Sequence, residues 1–512
     1  MDFIYFNKRI FITLIAFSTL LSCLKDEHYN RTELEDTNLV FNTFVLEKKN
    51  NPYLNEDIVF NIKNDTINAE LKTYFFNSIP TFSTNAKTIE IDGVEQVSSN
   101  SSVDFRKPIT YKLKSESGSF KVYTVNISWN DALAHIYIDT EGGLFISSKE
   151  NYLNTKLSIN GQSKYKSKIF ELNQNARIKG RGNSSWNWPK KPFKIKLDNK
   201  EVLLSNNDSL SRLLPEKDWV LLSDYQDGTH LLNNVAFTIG RMLKMPFTNT
   251  IIPVELTLNG DYLGLYSLTE QLEVKKNRVN IGKTGVLLEI DQYFDEKWQF
   301  RSKTYNLPIT IKDPDLDNKT ELDLIQNEWN NFEALVYNKS FPNNNYLDLI
   351  DGESIAKYFI VYMLTLNEEI NHPKSTYIHK EAGGKYVMGP IWDFDWAYGY
   401  EGTSQHFSNF NKDLFWTEQL IEKKKSVGTP FFKRLMLSDP KIKSLIKKYW
   451  LDFITVHLGN LMIHIDEQAF IIKGAKSRNL EIWNTDLVND ELLMKQWIQD
   501  RVIFMNNFIS EL

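Results

Sequence analysis

The sequence predicts an α+β protein in which an all-β immunoglobulin-like sandwich, residues 37–129, precedes a larger mixed unit, residues 134–512. Three observations carry this. Short Val-, Ile- and Phe-rich runs alternate with Asn-rich breaks between Thr37 and Trp129. A second strand-rich stretch runs from Ala134 to about Asp291. From about Asp348 the apolar residues recur at helical spacing instead.

The first 36 residues read as an address. Lys8 and Arg9 precede the apolar run "IFITLIAFSTLL", which is too short to span a bilayer and fits a signal peptide over residues 1–22. The run ends in "LLSC", which resembles a bacterial lipobox. Cys23, the sole cysteine of the chain, is therefore the expected lipidation site, and residues 23–36 the tether. "LKDE" follows directly and resembles the surface-export signal of Bacteroidetes lipoproteins. The expected location is the outer membrane, facing outward, held by the lipid.

Within the sandwich, "LVFNTFVLE", "DIVFNI" and "YTVNISW" are strand-like, and "IDGVE" places Asp92-Gly93 where a tight hairpin turn belongs. No catalytic constellation falls there. Asn130 to Leu133 is the expected seam. In the larger unit, a helix is expected at about Gly228 to Leu243. "DGESIAKYFIVYMLTLNEE" carries a helical stripe at Ile355, Phe359, Tyr362, Met363 and Leu366. "SDPKIKSLIKKYWLDFI" has Asp439 as a cap and Pro440 in the first turn, and "LLMKQWIQDRVIFMNNF" closes the chain as a further helix.

Charge and composition bound the function. A net charge of -5 gives no reason to expect nucleic acid as a partner. The 12 Trp, 23 Tyr and 32 Phe favour large cores or aromatic-lined ligand surfaces and do not separate the two.

Two stretches could do chemistry. In "GPIWDFDWAYGY", an extended chain would put Asp393 and Asp395 on one face and Trp392, Phe394 and Trp396 on the other. That is either the wet face of an edge strand or a metal site at a strand end. In "RIKGRGNSSWNWPKKPFKIKLDNK", Gly182, Asn183 and Ser184 form a small-residue turn whose N–H groups could approach an anion, and Lys194 and Lys196 alternate onto one face of the next strand. Taken alone, such a loop is as well an ordinary turn.

Taken with "YLGLYSLTEQ" and the Trp-Asp-Phe-Asp block, "RGNSSW" gives the chain from about Ala134 onward a clear likeness: it resembles the CotH kinase family, named for a spore-coat protein H. The resemblance implies an atypical protein-kinase-like two-lobe fold and Mg-ATP as cofactor. Spore-coat members phosphorylate coat proteins on serine. It implies that Asp393 holds Mg²⁺ at the nucleotide phosphates, with Asp395 a second ligand or its partner. Lys194, or failing it Lys196, would meet the α/β-phosphates. "YLGLYSLTEQ" would be the hinge between lobes, with Glu270 near the adenine.

One loop departs from the family pattern. In "LNEEINHPKSTYIHK" the catalytic Asp falls on Asn367 and the later metal-binding Asn on Ser375. An amide takes no proton from a hydroxyl, so Glu368 is the expected base. Ser375 is a poorer Mg²⁺ ligand than Asn. His372 and His379 read as structural. The implied function is a surface-anchored kinase acting on protein Ser or Thr. The alternative is a pseudokinase lipoprotein that binds a protein or glycan partner without phosphotransfer.

Overall fold

The computed structural model describes residues 38–52, 54, 56–71, 77–105, 108–129, 133–160, 172–203, 215–402, 405–416, 426–484 and 490–512. The expected leader, Cys23 and the tether lie outside the described residues, as does all of the expected seam except Leu133. The chain divides into two compact units. The first comprises the described residues up to Ile67, with Ile79–Ser102 and Pro108–Asn126; the second comprises Asn68–Ser78, Val103–Lys107 and Ile127–Leu512.

Eleven strands precede residue 130: β1 (Phe41–Leu46), β2 (Ile58–Val59), β3 (Asn61–Lys63), β4 (Thr66–Leu71), β5 (Asn77–Ser78), β6 (Thr81–Thr84), β7 (Thr88–Ile91), β8 (Val94–Glu95), β9 (Val103–Asp104), β10 (Ile109–Lys114) and β11 (Phe120–Trp129). They form a three-stranded sheet in the order β2-β1-β6, a six-stranded sheet in the order β3-β4-β11-β10-β7-β8, and a short β5-β9 ribbon. Inside the first unit the two larger sheets meet through aromatic rings. Phe41 of β1 lies 5.5 Å from Phe82, 5.8 Å from Tyr111 and 5.3 Å from Tyr123, in each case edge to face. A register shift between Phe41 and Thr43 turns Phe41 to the same side as Phe44, which strict alternation would forbid. Asp92 and Gly93 both take positive φ, 49° and 82°, and close the β7-β8 hairpin as their residue types predict.

The second unit opens with a closed seven-stranded barrel: β12 (His135–Thr140), β13 (Leu153–Asn160), β14 (Leu172–Gly180), β15 (Phe193–Glu201), β16 (Glu216–Leu222), β17 (Ile251–Leu258) and β18 (Asp261–Glu270). All neighbours are antiparallel except β12 and β17, whose parallel pairing closes the ring. Alternate residues such as Ile138, Leu157, Ile178, Ile195, Leu221 and Val254 fill the interior. The barrel is therefore a core, and Lys194 and Lys196 necessarily point out of it.

A second sheet has the order β20-β21-β19-β22-β23, with β19 (Val286–Ile290), β20 (Gln299–Arg301), β21 (Pro308–Asp313), β22 (Thr376–Lys380) and β23 (Val387–Met388). The helices are α1 (Leu232–Met242), α2 (Lys319–Tyr337), α3 (Gly352–Thr365), α4 (Thr429–Leu437), α5 (Pro440–Asp452), α6 (Leu458–Trp483) and α7 (Glu491–Ser510). Asp439 caps α5 as expected, accepting from the Lys441 N–H at 2.7 Å, and Asp351 caps α3 through Ser354. α1 starts later than Gly228. The Asp227 carboxylate accepts from the N–H groups of Thr229 and Leu232 and holds residues 227–231 in a turn. Among the described residues no helix is long and apolar enough to cross a membrane.

Candidate functional site

Where the barrel faces the second sheet and the helical layer, the second unit holds a cleft of about 580 Å³. The barrel contributes the turn after β14 and the start of β15. The opposite wall is built from the end of β19, the loop before β22 and residues 392–396.

The Trp-Asp-Phe-Asp block is not a strand. Asp393 has φ 60°, in the left-handed region that short polar side chains tolerate, so side-chain alternation fails there. Two side-chain amides do the work of a sheet ladder. Asn367 donates to the Asp393 carbonyl at 2.9 Å, and Asn233 accepts from the Phe394 N–H at 3.0 Å. The NH2 of the same Asn233 amide donates to the Asp395 carboxylate at 3.1 Å. Phe394 goes into the core against Tyr362, Trp392 stacks on Phe237, and Trp396 is left on the surface. The turn so made aims both Asp393 and Asp395 into the cleft. The two acids converge as expected, but the backbone that aims them is a turn.

The catalytic-loop expectation needs correcting. Asn367 is fully buried and spends its side chain on position: besides Asp393 it accepts from the Glu369 N–H and caps the short 3₁₀ turn Glu368–Ile370. Within that turn consecutive residues diverge. Glu368 faces away from the cleft and accepts from the Trp416 indole N–H, and burial pushes its carboxyl up to about 7. Glu369 is the acid in the cleft. Its Oε2 is buried with no hydrogen-bond partner among the described residues. Ser375 lines the cleft beside Asp393 and draws that carboxyl downward against its burial.

Gly182, Asn183, Ser184 and Lys194 all line the opposite wall. Lys194 pairs with Asp218 at 3.5 Å, and its pKa is lowered by burial against the pull of that acid. Lys196 shares the outer face of β15 but lies outside the cleft lining. Glu270 is also outside it: it is 2% exposed, accepts from the Thr250 N–H at 2.8 Å, and belongs to the barrel wall. The neighbouring Gln271 is the residue that reaches the cleft. His379 donates its Nδ1–H to the Gly389 carbonyl at 2.9 Å, a structural bond.

The cleft walls carry opposite charge. Arg181, absent from the sequence-level candidates, enters beside Trp392. Facing it, burial and mutual repulsion raise the carboxyls of Asp395 and Glu369 well above their ordinary range, and burial raises Asp393 too. Such like-charged carboxylates call for a cation. Among the described residues no three acidic, His or Cys side chains form a ready metal cluster. Asp393 and Asp395 offer the carboxylate oxygens that a hard cation such as Mg²⁺ takes.

A family model described as CotH kinase protein matches residues 178–511. No curated protein matches the chain.

Proposed function

The chain belongs to the CotH kinase protein family, and from that premise we propose that its second unit is a kinase-like two-lobe fold whose cleft binds Mg-ATP and passes the terminal phosphoryl group to a protein Ser or Thr hydroxyl. One observation carries the reading: a cleft of about 580 Å³ with a basic turn on one wall and Asp393, Asp395 and Glu369 converging on the other. Phosphoryl transfer is mostly positioning and charge neutralisation, and these walls supply both. Asp393 and Asp395 would hold Mg²⁺, whose chemistry is to neutralise phosphate charge. Asn233 and Asn367 keep the two acids in place. The Gly182–Ser184 turn lines the basic wall, and its N–H groups would meet the phosphates. Glu369, with an unengaged carboxylate oxygen, takes the proton of the attacking hydroxyl.

A second reading is nucleotide or partner binding without transfer. It is favoured by Asn367, whose side chain is spent on backbone groups where the family pattern has a catalytic Asp. Anchoring at the cell surface through Cys23 is supported by the sequence alone.

The test is a thermal shift with Mg-ATP. Ligand at a hundredfold excess over Kd stabilises the folded state by about 2.7 kcal/mol. The shift is expected in the wild type, with Mg²⁺ only, and is lost in folded Asp393→Ala. A wild-type protein that ignores Mg-ATP removes the nucleotide reading.

A further inference from the structure

We infer that Arg181 forms an oxyanion subsite of the cleft, and that its ligand is the terminal phosphoryl group of the nucleotide. This rests on the nucleotide reading of the same cleft.

Two glycines fix the turn that carries Arg181. A Cβ on Gly180 would lie 2.3 Å from the Trp186 ring, and one on Gly182, at φ +84°, would lie 2.1 Å from Ser185 Oγ. Both flanks of Arg181 are thus locked by contacts that only glycine permits. Its own N–H donates to the Pro192 carbonyl at 3.3 Å. With the backbone fixed, the side chain enters the cleft, and its guanidinium carbon sits 5.5 Å from the centre of the Trp392 ring.

Arg181 is half-buried, and among the described residues its guanidinium makes no hydrogen bond and no ion pair. Asp393, Asp395 and Glu289 act on it electrostatically without touching it. Arg181 lines the cleft with the five N–H donors of its fork unspent on the described residues. The lysines on the same wall have single-point ammonium heads and other neighbours. Lys194 is paired with Asp218, Lys149 reaches Asn183 at 3.5 Å, and Lys179 lies 5.0 Å from the centre of the Tyr152 ring. On the other wall Lys312 is paired with Glu289 at 3.2 Å, and Lys374 lies 4.1 Å above the Trp396 ring. A planar fork with its donors free, set on an aromatic face, suits a phosphoryl group with two exposed oxygens. With a cation held by the acids across the cleft, the fork would meet the phosphoryl oxygens from the other side.

The experiment compares Mg-ADP with Mg-ATP by calorimetry, in wild type, Arg181→Ala and Arg181→Lys, each matched for melting temperature. Wild type is expected to favour Mg-ATP by about tenfold or more, the worth of a charge-assisted hydrogen bond. In Arg181→Ala the ratio falls to near one. In Arg181→Lys, which keeps the charge and loses the fork, it is intermediate. An unchanged ratio in both variants overturns the subsite while leaving nucleotide binding intact; should Arg181→Ala not fold, an unchanged ratio in Arg181→Lys does the same. If the wild type binds neither nucleotide, the nucleotide reading falls, and tungstate titration followed by tryptophan fluorescence decides the subsite. A response lost in the Arg181 variants upholds an oxyanion site; no Arg181-dependent response removes it.

Discussion

Asp291→Asn should stabilise the protein, and by an amount that depends on pH. Asp291 follows β19 on the acidic wall and is 8% exposed. Burial, then the neighbouring Glu289, push its carboxyl up to about 7. In the unfolded chain an Asp titrates near 3.9. The folded state thus holds the proton more tightly, so ionisation costs stability. The cost is absent below about pH 4, grows by about 1.4 kcal/mol per pH unit through the window, and is complete above about pH 7. A window of about three units sets an upper bound of about 4 kcal/mol. Asparagine removes the charge but keeps the bond that Oδ1 accepts from the Tyr293 N–H at 2.7 Å. The variant should therefore exceed wild type by up to about 4 kcal/mol at pH 8 and by about 1.5 kcal/mol at pH 5. At roughly 2 °C per kcal/mol for a chain of this size, that is about 8 °C against about 3 °C in melting temperature. Scanning calorimetry between pH 5 and pH 8 reads it directly. A gain that does not vary with pH, or a loss at pH 8, refutes the electrostatic account of this wall.

Three further outcomes are expected. Glu369→Gln should cut phosphotransfer by about 10²–10⁴-fold, whereas Glu368→Gln, which can still accept from Trp416, should retain it; a radiolabel transfer assay giving equal loss in both would refute the placement of the two acids. Gly182→Ala, at φ +84° and 2.1 Å from Ser185 Oγ, should cost at least about 1 kcal/mol and weaken Mg-ATP binding, checked by melting and calorimetry. Cys23→Ala should move the protein out of the membrane fraction, and a variant that remains there removes the lipobox reading.

Elements with local signals were legible. Asp92-Gly93 announced a hairpin, and Asp439-Pro440 a helix start, because turn and cap chemistry is written in adjacent residues. The barrel was not legible. Its closure depends on β12 meeting β17, with His135 opposite Glu255, and nothing in either strand encodes a partner 120 residues away. α2 was missed as well, since it lies between the stretches that patterning singled out. It buries only Trp329, Phe332, Glu333 and Val336, a stripe too narrow to announce itself. Glu333 would even argue against a core face, yet its carboxylate is consumed by the Thr304 N–H at 2.8 Å and by the Ser302 hydroxyl.

At the site, alternation correctly put Lys194 and Lys196 on one face of β15, because the strand is regular there. It failed at Asp393, because one left-handed residue reverses the direction of everything after it. The choice between Glu368 and Glu369 turned on a single residue of register in a 3₁₀ turn, where neighbours point about 120° apart. Sequence held one usable clue: if Asn367 caps that turn, its partner is the N–H two residues on, and the residue so pinned is Glu369. Arg181 had a clue too. A long cation between two glycines either needs the flexibility or needs the space. The contacts of both missing Cβ atoms show that it is space, and a side chain granted such a rigid base is one whose aim matters.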